Sequence, residues 1–118
     1  MTKYKIVLIP FPFDDLSGKK VRPAVCLTEP IGRYRHVVLA FITSKIPKKL
    51  LKTDIVIASG EEDFGLSGLR VSSTLRLHRM MTVSVDIVQR ELGRLPETKQ
   101  KITQSKLKEL FGLKRRKP

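Results

Sequence analysis

Ile6-Val7-Leu8-Ile9-Pro10-Phe11-Pro12-Phe13 decides how the chain is read. Its first four residues are aliphatic and mostly β-branched, the composition of a short buried strand. Pro10 and Pro12 end that strand, because proline has no N–H to donate to a ladder. Lys3 and Lys5 precede the run, yet four apolar residues are too few for the core of a secretion signal. They are also far short of the roughly 20 that span a membrane. The expected location is the cytoplasm.

Further short apolar runs follow, separated by turn residues. Asp14-Asp15-Leu16-Ser17-Gly18-Lys19-Lys20 is a polar turn. Residues 23–27 (Pro-Ala-Val-Cys-Leu) form a second strand, with Arg22 just before it. His36 to Ile42 form a third, with Thr43 and Ser44 at its end. Ile46 to Leu51 reads as a Lys-rich helical turn, and Thr53 to Ala58 as a fourth strand. Residues 59–65 are a loop with an acidic patch. Leu69 to Met80 is one or two strands, with Leu75 and Leu77 on one face and Thr74, Arg76 and His78 on the other. Val83 to Val88 fits a helical turn or a strand, and Gln89 to Leu95 a final strand. Pro96 then opens a helix at its first position. Ile102, Leu107, Leu110 and Phe111 share one face of it, and Gly112 suits its C-terminal cap. The pattern predicts a mainly β fold with a C-terminal helix, one domain over residues 1–113. Residues 114–118 are expected to be a disordered basic tail.

Lys and Arg number 24 against 11 Asp and Glu, a net charge of +13. Without Lys114, Arg115, Arg116 and Lys117 the charge is still +9, so the domain itself favours polyanions, nucleic acid foremost. A generically basic soluble protein is the plainer alternative. Cys26 is the only cysteine, which precludes an intrachain disulfide and fits a reducing compartment. Its β-branched surroundings make it a core residue rather than a nucleophile. His36, His78 and Cys26 have no zinc-ligand spacing, and the carboxylates of residues 14–15 and 61–63 sit in loops. No phosphate-binding glycine loop is present. Neither a metal nor a cofactor is expected.

What remains is arginine, lysine, histidine and hydroxyls, a set suited to phosphodiester chemistry on RNA. RNA carries its own nucleophile, the 2′-OH. An enzyme has to align it, move protons and stabilise charge on the phosphoryl oxygens. A guanidinium does the last task, since its fork fits two phosphate oxygens and stays charged.

Several segments resemble MazF/PemK toxins. Ile6 to Phe13, Asp15-Leu16-Ser17-Gly18 and Val21-Arg22-Pro23-Ala24-Val25 are similar to the opening of that family. Ala40-Phe41-Ile42-Thr43-Ser44 resembles its second motif. Thr53 to Ile57, Gly68-Leu69, Ser72 to Leu77 and Leu92-Gly93-Arg94-Leu95 follow in the family's order. The resemblance covers roughly residues 4 to 113. It implies a small SH3-like or CcdB-like β-barrel, a homodimer, and cleavage of single-stranded RNA at short sequences by 2′-OH attack. It also implies an antitoxin partner whose acidic tail covers the RNA groove.

Carried over residue by residue, the arginine of the Arg-Pro motif falls on Arg22 and the hydroxyl of the Ile-Thr motif on Thr43. Arg22 is then the phosphate ligand, Thr43 a hydrogen-bonding partner of phosphate or 2′-OH, and Ser44 shares that task. Arg76 and His78 fall where some members use an arginine and an aspartate. His78 is the one candidate whose side-chain type titrates near neutrality, so it is either a general acid–base or a groove-lining histidine. Lys19, Lys20, Arg33, Arg35, Lys45, Lys48 and Lys49 are candidates to rim the groove. Tyr34 is a candidate to stack on a base, and Phe11 is read as core. The family's Gly-Asp before the first strand is replaced by Tyr4-Lys5, which bears on strand entry or dimer contacts. Two rivals remain: a gyrase-poisoning toxin of the same fold, and a silent basic barrel that binds RNA or DNA.

Overall fold

The computed structural model describes residues 1–10 and 20–113. Strands β1 (Lys5–Pro10), β2 (Val21–Cys26), β3 (His36–Thr43), β4 (Asp54–Ile57), β5 (Ser73–Ser84) and β6 (Arg90–Arg94) precede helix α1 (Glu97–Leu110). They form one antiparallel sheet in the order β4-β5-β3-β2-β1-β6, curled into a half-barrel. The mainly β fold with a C-terminal helix is thus the one expected.

Burial on both faces explains the near-continuous apolar character of β3. Ala40 and Ile42 face one core cluster with Ile6, Val25, Ile55, Leu75, Leu77 and Leu95. Val37, Leu39 and Phe41 face another with Val7, Ile9, Ala24 and Cys26. Cys26 is a core residue, and burial pushes its thiol up to about 11.

Several sequence expectations change. Residues 46–51 form no helical turn. Leu69 to Ser72 are loop, while β5 runs on to Ser84. Residues 83–88 then divide between strand and a 3₁₀ turn over Val85–Ile87, where the Ser84 hydroxyl accepts the Asp86 N–H. Pro96 is the N-cap of α1, with extended ψ, so Glu97 is the first helical residue. The α1 face of Ile102, Leu107, Leu110 and Phe111 is not a buried stripe: Leu107 packs on the core, while the other three are exposed. Buried Thr103 lies one turn before Leu107. Polar bonds complete the docking, from Gln104 Nε2 to the Tyr4 hydroxyl and from Lys106 Nζ to the Lys52 carbonyl. The acidic patch at 61–63 is structural. Glu61 accepts the Ala58 N–H and pairs with Lys99 of α1 at 2.9 Å.

Tyr4 has φ +74°, an uncommon backbone for a bulky residue. Its N–H donates to the Cys26 carbonyl, its carbonyl accepts the Leu95 N–H, and its ring is buried. These contacts hold the left-handed conformation at the entry to β1.

Candidate active site

Strand register brings the main candidates together. Ile9 of β1 pairs with Arg22, and Thr43 of β3 pairs with Thr74, which in turn pairs with Val56. The β2–β3 ladder pairs Ala24 with Phe41. Continued by two residues, it sets Arg22 opposite Thr43. Directly opposed residues of an antiparallel sheet share a face. Arg22, Thr43 and Thr74 therefore form one transverse row at the end of the central strands, although 52 positions separate the first from the last.

A cleft of about 220 Å³ opens over that row, lined by Arg22, Phe41, Ile42, Thr43, Ser44, Lys45, Arg76 and Arg79. Among the described residues its lining carries four cationic side chains and no carboxylate. The hydroxyl of Thr43 accepts the Lys45 N–H at 3.2 Å, which turns the chain at the end of β3 and sets Ser44 on the rim.

Arg76 enters from β5 and is held from behind. Its Nε donates to Asp54 Oδ1 at 2.9 Å and its Nη2 to Oδ2 at 3.4 Å. The Asp54 side chain is fully buried, and its Oδ2 also accepts the Leu51 N–H. A buried carboxylate needs such partners. The pair leaves the outer edge of the guanidinium directed at the cleft.

Arg79 also lines the cleft, a position that sequence alternation misses. Counting by twos from Arg76 places it with Leu75 and Leu77, on the core side. The structure breaks that count, since Ala40 pairs with Met80 but Ile42 with Leu75. Four residues of β5, Arg76 to Arg79, thus stand against Phe41 alone. This irregularity bends the strand and turns Arg79 into the cleft.

Other candidates lie elsewhere. His78 is exposed, does not line the cleft, and shares a 2.7 Å hydrogen bond between Nδ1 and the Thr53 hydroxyl. Tyr34 sits in the loop before β3, stacked on His36 with ring centroids 6.2 Å apart. β3 has eight residues, so its two ends lie roughly 23 Å apart, and Tyr34 is at the end away from Thr43. Arg33 and Arg35 share that loop. Lys20 is exposed two residues before Arg22, and Lys45 lines the cleft. Lys48 and Lys49 are exposed beyond it. Lys19, Phe11 and the 114–118 tail lie outside the described residues. Among the described residues no three His, Cys, Asp or Glu side chains converge, and no helix is long and apolar enough to cross a membrane.

No curated protein matches the sequence. Solved structures do match the fold. Mycobacterium tuberculosis toxin MazF-mt6 superposes with a TM-score of 0.70 at 20% identity, covering 94% of this chain and 99% of that one. An endoribonuclease in complex with its cognate antitoxin, from a mycobacterial species, gives 0.69 at 14% identity, covering 98% and 99%. A further mycobacterial endoribonuclease gives 0.67 at 11%, covering 95% and 91%. At such identities the likeness speaks for the fold alone. The sequence itself matches the model of the PemK-like, MazF-like toxins of type II toxin–antitoxin systems over residues 2–111. A chain whose sequence matches that model over nearly its whole length belongs to the PemK-like, MazF-like toxin family.

Proposed function

We propose that the protein is an endoribonuclease toxin that cleaves single-stranded RNA at short sequences, without a metal, by attack of the ribose 2′-OH. The observation that carries this reading is the shared cleft of Arg22, Thr43, Ser44, Lys45, Arg76 and Arg79. Four positive side chains around two hydroxyls suit a phosphodiester whose charge grows in the transition state. The 2′-oxygen bonds to phosphorus, the bond to the 5′-oxygen breaks, and a 2′,3′-cyclic phosphate and a free 5′-OH result. One proton leaves the 2′-OH and one reaches the departing 5′-oxygen.

Arg22 and Arg76 take the nonbridging oxygens, because a guanidinium fork stabilises developing negative charge without giving up its own proton. Thr43 orients the 2′-OH or a phosphate oxygen, and Ser44 assists from the rim. Lys20 and Lys45 attract the flanking backbone. Proton transfer belongs either to solvent or to His78, which lies between Arg76 and Arg79 on β5 but outside the cleft lining, and the pH–rate profile of His78→Ala separates the two.

A homodimer in the cytoplasm, held by an acidic antitoxin, completes the reading. A solved neighbour is an endoribonuclease bound to its cognate antitoxin, and the charge of +13 suits an acidic partner as well as RNA.

The test is incubation of pure protein with end-labelled single-stranded RNA in EDTA, wild type beside Arg22→Ala. Discrete cuts by the wild type, lost in the variant, support the reading. Gyrase-dependent DNA breaks, or RNA retained but uncut, would replace it with one of the two rivals.

A further inference from the structure

A second cleft, of about 310 Å³, lies on the other face of the same strand ends. Its floor is also a transverse row. Arg90 pairs with Leu8, and Leu8 with Pro23. The β2–β3 register carried on by one residue adds Ile42. Leu92 of β6 and the loop Gly68–Val71 form the walls.

The glycines of two sequence motifs fix those walls. A Cβ on Gly68 would stand 2.0 Å from the Leu92 carbonyl oxygen, and Gly68 has φ +72°. A Cβ on Gly93 would stand 2.3 Å from the Leu66 carbonyl oxygen. Buried Ser67 donates its hydroxyl to the Phe64 carbonyl and accepts the Leu69 N–H. The loop is thereby held hard against β6, at a set distance from the floor.

Arg22, Ile42 and Ser44 line both clefts, which are therefore continuous around the end of the sheet. Arg70 and Arg90 are exposed at the rim of the second. Leu8, Pro23, Leu69 and Leu92 give its interior an apolar surface.

We infer that this second cleft is a guanine pocket for the nucleotide whose phosphate Arg22 holds. The inference rests on the RNA-cleaving reading of the first cleft. A nucleotide carries charge at its phosphate and a flat, largely apolar face at its base. An apolar slot reached past a phosphate-binding arginine matches that division. Unpaired RNA bases are splayed out and packed against side-chain planes, guanidinium planes included. Among the polar side chains of this lining, Arg22, Arg70 and Arg90 supply donors only, while the Ser44 and Ser73 hydroxyls can also accept. Guanine offers adjacent N7 and O6 acceptors that fit a guanidinium fork, where adenine pairs N7 with an amino donor, cytosine presents an amino group and uracil separates its two carbonyl acceptors by an N–H.

Two measurements test it together. Cut sites on a long RNA are mapped for wild type, Arg70→Ala, Arg90→Ala and Val71→Trp, the last chosen because Val71 is half-exposed and its enlargement fills the slot. Methyl NMR of the wild type follows Leu69, Val71 and Leu92 during titration with 5′-GMP or 5′-CMP. Wild-type cuts should share a guanine at one position beside the broken bond. The two alanine variants should lose that preference by about fivefold or more. 5′-GMP should move the three methyls and 5′-CMP should not. Unchanged cut-site preference in all three variants, or wild-type sites without a shared guanine, would overturn the pocket. So would methyls that ignore 5′-GMP. Methyl shifts with 5′-GMP in a protein that cuts no RNA would keep the pocket and remove the nuclease reading instead.

Discussion

The buried carboxylate of Asp54 grips the guanidinium of Arg76 edge-on, with Oδ1 2.9 Å from Nε, and so aims a cation on β5 into the cleft that Arg22 and Thr43 share. Asp54 does not line that cleft, so what it contributes directly is the hold on Arg76. Asp54→Ala leaves Arg76 without its counter-charge and strands the Leu51 N–H. Breaking a buried pair from one side costs about 3–5 kcal/mol. Arg76 keeps some solvent, so the loss should fall near about 3 kcal/mol in urea titrations. A stability within about 0.5 kcal/mol of wild type, the range of ordinary surface changes, would show that the pair carries no weight.

Thr74, directly opposite Thr43, is fully buried, and its hydroxyl finds no hydrogen-bond partner among the described residues. An unsatisfied buried hydroxyl costs about 1–3 kcal/mol. Thr74→Val keeps the shape and removes the polar atom, so it should raise the urea midpoint. A lower midpoint would mean that the hydroxyl has a partner.

Gly93→Ala should destabilise the fold by about 1–3 kcal/mol or more, because the added methyl meets backbone rather than a yielding side chain. Gly60→Ala, where nothing lies within 4 Å, is the matched control and should stay within about 0.5 kcal/mol. Equal effects in the two variants would contradict the close packing of Leu66 and Ser67 on β6.

The acid limb of stability should be shallow but measurable. The Ala58 N–H and then the Lys99 ion pair hold the Glu61 carboxyl below its ordinary value. The Thr2 N–H does the same for Glu29. Both groups bind protons less tightly folded than unfolded. Their contribution is therefore complete above the ordinary glutamate value of about 4.3 and disappears as pH falls through the folded values. Glu61→Gln should flatten the loss of urea midpoint below that pH. An unaltered acid slope would show that Glu61 carries none of that loss.

The sheet was legible because apolar runs and turn residues mark strands by local chemistry. β1, β2 and β3 stand close to where Ile6, Ala24 and Val37 suggest. The Arg-Pro and Ile-Thr motifs single out Arg22 and Thr43, and strand register supplies the reason that both line one cleft. Arg79 was hidden because an irregularity opposite Phe41 inverts the alternation on which a strand is read. Asp54 was hidden inside an apolar strand, although a carboxylate there has to find a cation. The helix misled for a different reason. Its docking uses Thr103, Leu107 and hydrogen bonds from Gln104 and Lys106, so apolar periodicity was a poor guide to its buried side.

In attack by the 2′-OH, the oxygen that reaches phosphorus belongs to the ribose immediately 5′ of the broken bond. The direct measurement uses an RNA oligonucleotide cut at one mapped bond, compared with the same oligonucleotide carrying a single 2′-deoxy residue immediately 5′ of that bond, both in EDTA. The all-ribose product should carry a cyclic-phosphate end, the deoxy substrate should stay uncut, and Arg22→Ala should lose about 10²–10³ in rate. Cleavage of both oligonucleotides at equal rates would contradict attack by the 2′-OH.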